Sequence, residues 1–381
     1  MSVFFEQYNV VSSLGNSLSE TWEALAQNKA GISDLKKLKI VADDFPVTAG
    51  APYNLPALPS VHHNNIADEY KAVVKTLFNG LRPSPLPVDA FILASNVSST
   101  EQHLSIQPFN QKILLEYIHD EMISHGLKPA AEMETLCLYN TCISGLSALS
   151  LASDFLSSGM KKQVLIIAIE PRLRQWSLMP LDFLNMLSRN ENVDRSSIPF
   201  SIDRSGFVKG DGAAIALLGA GKTQNSIELL SVGEVNDCYR LTDPDENGRG
   251  LEESILMALK KAKVHSTEVD SVYAHATSTV KYDKIEAQVL KRIFQANRAM
   301  TISALKSQLG HTNISSSLIS TIVAAESLVK NSALPVLNLK EDSLIESLNY
   351  VKQVCPNKAR TALINASGIG GYNASALIRK T

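Results

Sequence analysis

With 381 residues, 45% of them apolar and 19% charged, the chain has room for two fused α/β halves and the balance of a soluble globular protein. Its formal net charge of −2 argues against a duplex nucleic-acid surface, since phosphate binding needs a concentrated basic face. The four cysteines, Cys137, Cys142, Cys238 and Cys355, include no C-x-x-C pair, so a reducing cytoplasm is the expected compartment.

The N-terminal MSVFFEQYNVVSSLG has neither a basic start nor a long apolar run, so no signal peptide is expected. The most apolar stretch, residues 164–169, has the length of a buried strand and is too short to span a bilayer. Residues 10–32 read as a strand end, a turn at Ser13-Leu14-Gly15, then a helix with Trp22 and Leu25 at helical spacing before Gly31. Residues 34–65, rich in Pro and Asn, read as extended loop. Ile113, Leu114, Tyr117, Ile118 and Met122 make the stripe of an amphipathic helix over residues 110–125.

The centre predicts a strand at 135–139, a helix at 143–158 ended by Gly159, and a continuously apolar strand at 163–169. Read as a β-α-β unit with both strands buried, this implies a parallel sheet covered on both faces. Strand 271–274, helix 282–294, strand 300–303 and helix 315–330 repeat the alternation, and strands at 361–365 and 374–379 close the chain. The class is α/β.

Four segments carry candidate chemistry. In Tyr139-Asn140-Thr141-Cys142-Ile143-Ser144-Gly145 a thiol lies where a strand turns into a helix N-terminus, whose free N–H groups and dipole favour the thiolate. On this segment alone an inert buried thiol is the commoner arrangement. His275 (in Tyr273-Ala274-His275-Ala276-Thr277-Ser278-Thr279) and His311 (in Lys306-Ser307-Gln308-Leu309-Gly310-His311) each follow the C-terminal end of a strand, where open α/β sheets bind ligands. A hydrogen-bonded structural role is the plainer alternative for either, and the one assigned to His62, His63, His103, His119, His125 and His265. Zinc held by Cys142 and the two histidines lacks closely spaced ligand pairs such as H-E-x-x-H. Residues 365–373, Asn-Ala-Ser-Gly-Ile-Gly-Gly-Tyr-Asn, read as a closing loop whose glycines let backbone N–H groups approach a reacting centre; a plain turn is the alternative. No P-loop or dinucleotide fingerprint occurs.

In this order the segments resemble the elongating β-ketoacyl-acyl-carrier-protein synthase family. The family's T-x-C appears without its spacer as Thr141-Cys142; H-G-T-x-T followed by D-x-x-E is matched by His275 to Thr279, then Asp283 and Glu286; K-S-x-x-G-H is matched by Lys306, Ser307, Gly310 and His311. P-F-D-x-x-R-x-G-F-V-x-G-[DE]-G-A reads here as residues 199–213, from Pro199-Phe200-Ser201 to Asp211-Gly212-Ala213, and N-x-F-G-F-G-G-x-N as residues 365–373. The resemblance covers essentially the whole chain and implies a thiolase-like five-layered α/β fold with mixed sheets. Its two pseudo-duplicated halves would be 1–225, bearing the nucleophile, and 226–381, bearing both histidines and the lysine.

By that resemblance Cys142 takes the acyl chain from the phosphopantetheine of an acyl carrier protein, with the N–H groups of Cys142 and Ile369 as oxyanion hole. A malonyl-type extender is decarboxylated, its enolate stabilised by His275 and His311, with Lys306 orienting His311, and Claisen attack lengthens the chain. Thr277 and Thr279 fall at pantetheine-contacting positions, Glu286 in a supporting position near Lys306, and Arg204 either at the mouth of the site or in a surface ion pair. No metal or redox cofactor is implied. A dimer is, through a strand near 163–169, formed by two identical chains or with a ketosynthase-like chain-length subunit.

The sequence departs from the family pattern at Ser367 and Ile369, where Phe is usual, at Ala276 in place of Gly, at Ser201 in place of Asp, and in the run Asn313-Ile314-Ser315-Ser316-Ser317 after the second histidine. Ile369 is smaller than Phe and stiff at χ1, so a different acyl-pocket access is expected, and with it a specialised polyketide or aryl-polyene type member. Two other readings stay open. One is a chain-length-type partner of an active sister chain; such subunits commonly replace the nucleophile, whereas here it is kept. The other is acyl transfer or thioester hydrolysis without condensation.

Overall fold

Strand β1 (Val3–Ser12) opens the chain, and α1 (Leu18–Ala26) starts at Ser17, whose side chain accepts the Glu20 N–H. In this computed structural model, which describes residues 1–55, 66–96, 110–170, 172–222, 225–339 and 343–381, the order continues as follows. The first half adds α2 (Ile66–Phe78), β2 (Val88–Ser95), α3 (Gln111–Ser124), β3 (Pro129–Leu138), α4 (Ser144–Ser157), β4 (Gln163–Ile169), α5 (Gln175–Phe183) and β5 (Gly212–Gly219). Then come β6 (Ile227–Asn236), α6 (Arg249–Ala262), β7 (Ser271–Tyr273), α7 (Val280–Phe294), β8 (Thr301–Ser303), α8 (Asn313–Lys330), β9 (Asn349–Tyr350), β10 (Thr361–Gly368) and β11 (Tyr372–Lys380). His62, His63 and His103, and the end of the expected loop 34–65, lie outside the described residues.

These strands form one mixed sheet in the order β9-β8-β7-β10-β11-β6-β1-β5-β4-β2-β3. Its middle is the short antiparallel seam of β1 with β6, Val3 opposite Leu229 and Phe5 opposite Ile227. Outward from β1 the pairings run antiparallel to β5, antiparallel to β4, then parallel to β2 and β3. Outward from β6 they run antiparallel to β11, antiparallel to β10, then parallel to β7 and β8, with β9 added in parallel. The same succession occurs twice.

Helices α4 and α8 lie between the two parts of the sheet. One core joins Leu146 and Leu149 of α4 and Leu318 and Ile322 of α8 to Ile92 and Ile166 on one side and Ile364 and Ile378 on the other. The helices touch because their contact residues are small. A Cβ on Gly145 would stand 2.5 Å from the Leu318 backbone nitrogen, and the Leu146 N–H donates to Ser317 Oγ at 3.3 Å. Helices α2 and α3 cover the outer face of the first part through Leu77, Phe78, Leu114 and Ile118. Helices α6 and α7 cover the second through Ile255, Val289 and Leu290. The result is helix, sheet, helix, sheet, helix, the five layers expected.

Three local expectations are corrected. Strands β3 and β4 do not form a buried pair: β2 lies between them, and β3 is the sheet edge, its residues part-exposed or exposed. For the same reason residues 163–169 present no free edge, since β4 is fully buried and bonded to β2 and β5. Most of the expected closing loop is sheet, with only residues 369–371 between β10 and β11. Among the described residues no helix is long and apolar enough to cross a membrane.

Candidate active site

Beyond β3 the chain makes a 3-10 turn, Thr141–Ile143, and then enters α4. The turn is tight. Thr141 has φ +48°, the Asn140 N–H donates to Ser144 Oγ at 2.9 Å, and Ser144 Oγ donates to the Thr141 carbonyl at 2.7 Å. Gly368 at the end of β10 packs against it so closely that an added Cβ would collide with Thr141 Oγ1.

Cys142, borne on this turn, has its Sγ 3.0 Å from His311 Nε2. His311 precedes α8, and its backbone is stitched to the segment after Phe207: its N–H donates to the Val208 carbonyl at 2.6 Å and its carbonyl accepts from Gly210 N–H at 3.0 Å. The rings of His275 and His311 meet edge to face, centroids 5.4 Å apart. Cys142, His275 and His311 line one cavity of about 410 Å³ with Thr277, Thr279 and Ile369. The Thr277 and Thr279 hydroxyls are 3.0 Å apart.

His275 belongs to a loop with two residues in the left-handed region, Ala276 at φ +32° and Ser278 at φ +69°. Two buried carboxylates, one turn apart on α7, hold it there. Glu286 accepts the N–H groups of His275 and Ala276 at 2.8 and 2.7 Å and the Asn365 amide at 3.1 Å. Asp283 accepts the N–H groups of Thr277, Ser278 and Phe200 at 2.9, 3.1 and 2.9 Å.

Burial governs the electrostatics. It drives His275 and His311 well below the usual imidazole range, and the Lys306 charge pushes both the same way, so both rings are neutral at pH 7. Burial also lowers Lys306 to about 8, against the opposing pull of Glu286, Cys142 and Asp283. Lys306 is buried, begins the single turn Lys306–Leu309, and lies outside the cavity lining. Burial pushes the Cys142 thiol up to about 12, with Lys306 and Lys209 drawing it down and Glu170 raising it. Desolvation thus works against the thiolate that the helix terminus favours, and an imidazole nitrogen lies within reach of the sulfur.

Arg204 is not at the mouth of the site, nor in a surface ion pair. It is buried and donates to the carbonyls of Thr279 (3.0 Å), Ser201 (2.9 Å) and Val280, bracing the His275 loop from behind. Gly370 and Gly371, at φ +88° and +78°, let the strand connection turn beside Cys142, and the Gly370 N–H donates to the Leu241 carbonyl at 2.6 Å. Ser367, where the family has Phe, donates from Oγ to Asn373 Oδ1 at 2.8 Å.

Sequence reasoning gave no role to Asp283 and Asn365, although both stand in quoted motifs, and it passed over Glu170 and Lys209. The signal for these two was a charge ending the apolar run 163–169 and a Lys amid the glycines of Gly206-Phe207-Val208-Lys209-Gly210.

Residues 135–223 match the family model described as "Beta-ketoacyl synthase, N-terminal domain", and residues 228–340 match "Beta-ketoacyl synthase, C-terminal domain". A 3-oxoacyl-[acyl-carrier-protein] synthase 2 of Rhizobium meliloti is 31% identical over 250 residues, covering 63% of this chain and 59% of that protein. The Coxiella burnetii protein of the same name is 24% identical over 97% of this chain and 96% of its own. A chain of a solved complex described as a "type II PKS acyl-carrier protein in complex with its ketosynthase bound to the hexaketide" superposes with a TM-score of 0.83 at 22% identity, covering 100% of this chain and 99% of that one.

Proposed function

This chain belongs to the β-ketoacyl synthase family and is an acyl-transferring condensing enzyme of the 3-oxoacyl-[acyl-carrier-protein] synthase type; we propose that Cys142 is its acyl acceptor and that His275, His311 and Lys306 run the decarboxylation. The 3.0 Å contact between Cys142 Sγ and His311 Nε2 supports this reading most. It puts a nucleophile and a proton-bearing ring at one reacting centre.

An acyl thioester on the phosphopantetheine arm of an acyl carrier protein passes Thr277 and Thr279, and its carbonyl oxygen is received by the N–H groups of Cys142 and Ile369. The Cys142–acyl bond forms, the pantetheine thioester breaks, and the thiol proton goes to the departing sulfur with His311 Nε2 as relay. A malonyl-type extender then loses carbon dioxide. The electron pair of the broken C–C bond becomes an enolate, whose oxygen accepts hydrogen bonds from the neutral rings of His275 and His311. Lys306, still charged at pH 7, favours that negative charge. The enolate carbon attacks the acyl–Cys142 carbonyl, forming the new C–C bond and breaking the C–S bond; the sulfur leaves as a thiolate and takes up one proton from solvent. None of these steps calls on a metal or redox cofactor.

The partners in this reading are an acyl carrier protein and a second ketosynthase-like chain, identical or of the chain-length kind, paired along β3; the compartment is the cytoplasm, and the two halves divide near residue 225. Intact mass spectrometry after incubation with acyl-carrier protein tests it. One acyl adduct per chain is expected, removed by Cys142→Ala and untouched by changes at Cys137, Cys238 or Cys355. An adduct found only on a ketosynthase-like sister chain, with product formation surviving Cys142→Ala, would make this chain the chain-length-type partner.

A further inference from the structure

The Cys142 cavity holds a second pair of charges that condensation leaves unused. Lys209 and Glu170 both line it, and both are more than nine-tenths buried. Lys209 Nζ donates to Glu170 Oε1. Glu170 is well supplied with donors, accepting also from Asn313 Nδ2 at 3.1 Å and from the Ile314 N–H at the start of α8 at 3.4 Å. Lys209 is not so well matched. An ammonium carries three N–H donors, and among the described residues Glu170 is its one hydrogen-bond acceptor. Two donors are left to whatever occupies the cavity.

The position along the acyl chain follows from the backbone. Lys209 forms a parallel bridge with His311, whose ring touches Cys142 Sγ, so the ammonium stands by the thioester end of a bound acyl group. The same lining includes the apolar side chains of Trp176, Pro180, Leu181 and Met186. A saturated chain would expel water from Lys209 and offer its free donors nothing, which is costly for a buried charge. An acyl group with a carbonyl or hydroxyl oxygen on its first carbons past the thioester would satisfy them.

Building on Cys142 as the acyl acceptor, we propose that Lys209, held by Glu170, selects acyl groups that carry an acceptor oxygen close to the thioester carbonyl, 3-oxo and 3-hydroxy acyl chains, over saturated chains of equal length. Lys209 is in this sense a specificity-determining residue, and Glu170 its positioning partner.

The test compares acylation of Cys142 by hexanoyl and 3-oxohexanoyl thioesters of N-acetylcysteamine, followed by intact mass spectrometry. The full chain should take the 3-oxo group at least tenfold faster in kcat/KM. Lys209→Met combined with Glu170→Gln, which leaves no unpaired carboxylate, should invert the ratio by slowing the 3-oxo group and speeding the saturated one. Lys209→Arg, which keeps the charge and spare donors, should retain the preference. Equal rates in the unmodified protein would overturn the proposal, as would a double variant that slows both thioesters alike, for the pair would then only brace His311. If neither thioester acylates Cys142 while iodoacetamide still alkylates it, the acyl-acceptor reading itself falls, and this inference with it.

Discussion

Glu286 holds His275 by its backbone and not by its ring: one carboxylate oxygen takes the His275 N–H at 2.8 Å and the other the Ala276 N–H at 2.7 Å. The ring is thereby left free to face the cavity. Replacing Glu286 with Gln turns an NH2 group toward a backbone N–H. The loss in unfolding free energy should be about 1–3 kcal/mol, the cost of a buried donor without an acceptor. Malonyl decarboxylation should fall at least tenfold, and acylation of Cys142 much less. Thermal unfolding and the two half-reactions measure this; a variant normal in all three would refute the clamp.

Lys306, brought down to about 8 by burial, should impose a falling limb on the pH profile. The group is charged below its pKa and neutral above it, and only the charged form favours an enolate. Decarboxylation should thus decline as pH rises through about 8. Lys306→Met should give a lower, flat profile, whereas Lys306→Arg should push the limb beyond the measurable range, because a guanidinium stays protonated.

With the Cys142 thiol pushed up to about 12, thiolate is a minor species at neutral pH. Alkylation by iodoacetamide should accelerate roughly tenfold per pH unit and reach no plateau before pH 10. A plateau near neutrality would show that the helix terminus and the two lysines overcome desolvation.

Gly368 and Thr141 are coupled by the lack of room between them. Gly368→Ala should displace the Cys142 turn and slow acylation at least tenfold. Among the described residues Thr141 Oγ1 has no hydrogen-bond partner, so Thr141→Ala costs little and makes space. In the double variant acylation should partly recover. A double-mutant cycle with no coupling would contradict the crowding.

Strand β3 is the edge left open for association, and Glu132 and Glu134 on it are exposed. The protein should be dimeric at micromolar concentration by light scattering. Thr135→Pro, which removes an N–H from that edge, should weaken the dimer, while the same change inside β4 should unfold the chain. A dimer indifferent to Thr135→Pro would place the interface elsewhere.

The sequence disclosed most where one physical signal dominated. β4 is read to the residue because six apolar residues in a row, 164–169, follow Gln163 and all are buried, and α3 is readable from its stripe. β2 and β5 are just as buried but went unread, since Val-Asp-Ala-Phe-Ile-Leu-Ala-Ser and Gly-Ala-Ala-Ile-Ala-Leu-Leu-Gly show neither alternation nor β-branched enrichment. Their small residues answer to α8 packing overhead, a tertiary fact. β3 was misread because neighbours in sequence were taken for neighbours in the sheet. Within the site, Cys142, His275, Lys306 and His311 each stand in a short motif, and it is the order of the motifs along the chain that identifies them. The Lys209–Glu170 pair spans 39 positions and two unrelated segments, so only the folded chain brings it together.

Cys142 and His311 stand at matching steps of the doubled topology. Each follows the third strand of its part, β3 or β8, and each leads into a central helix, α4 or α8. Nucleophile and imidazole thus occupy equivalent positions in the two parts of the sheet. The reacting pair is thus drawn from both parts of the sheet and meets where the two central helices begin, so a shift of either helix disturbs one shared centre.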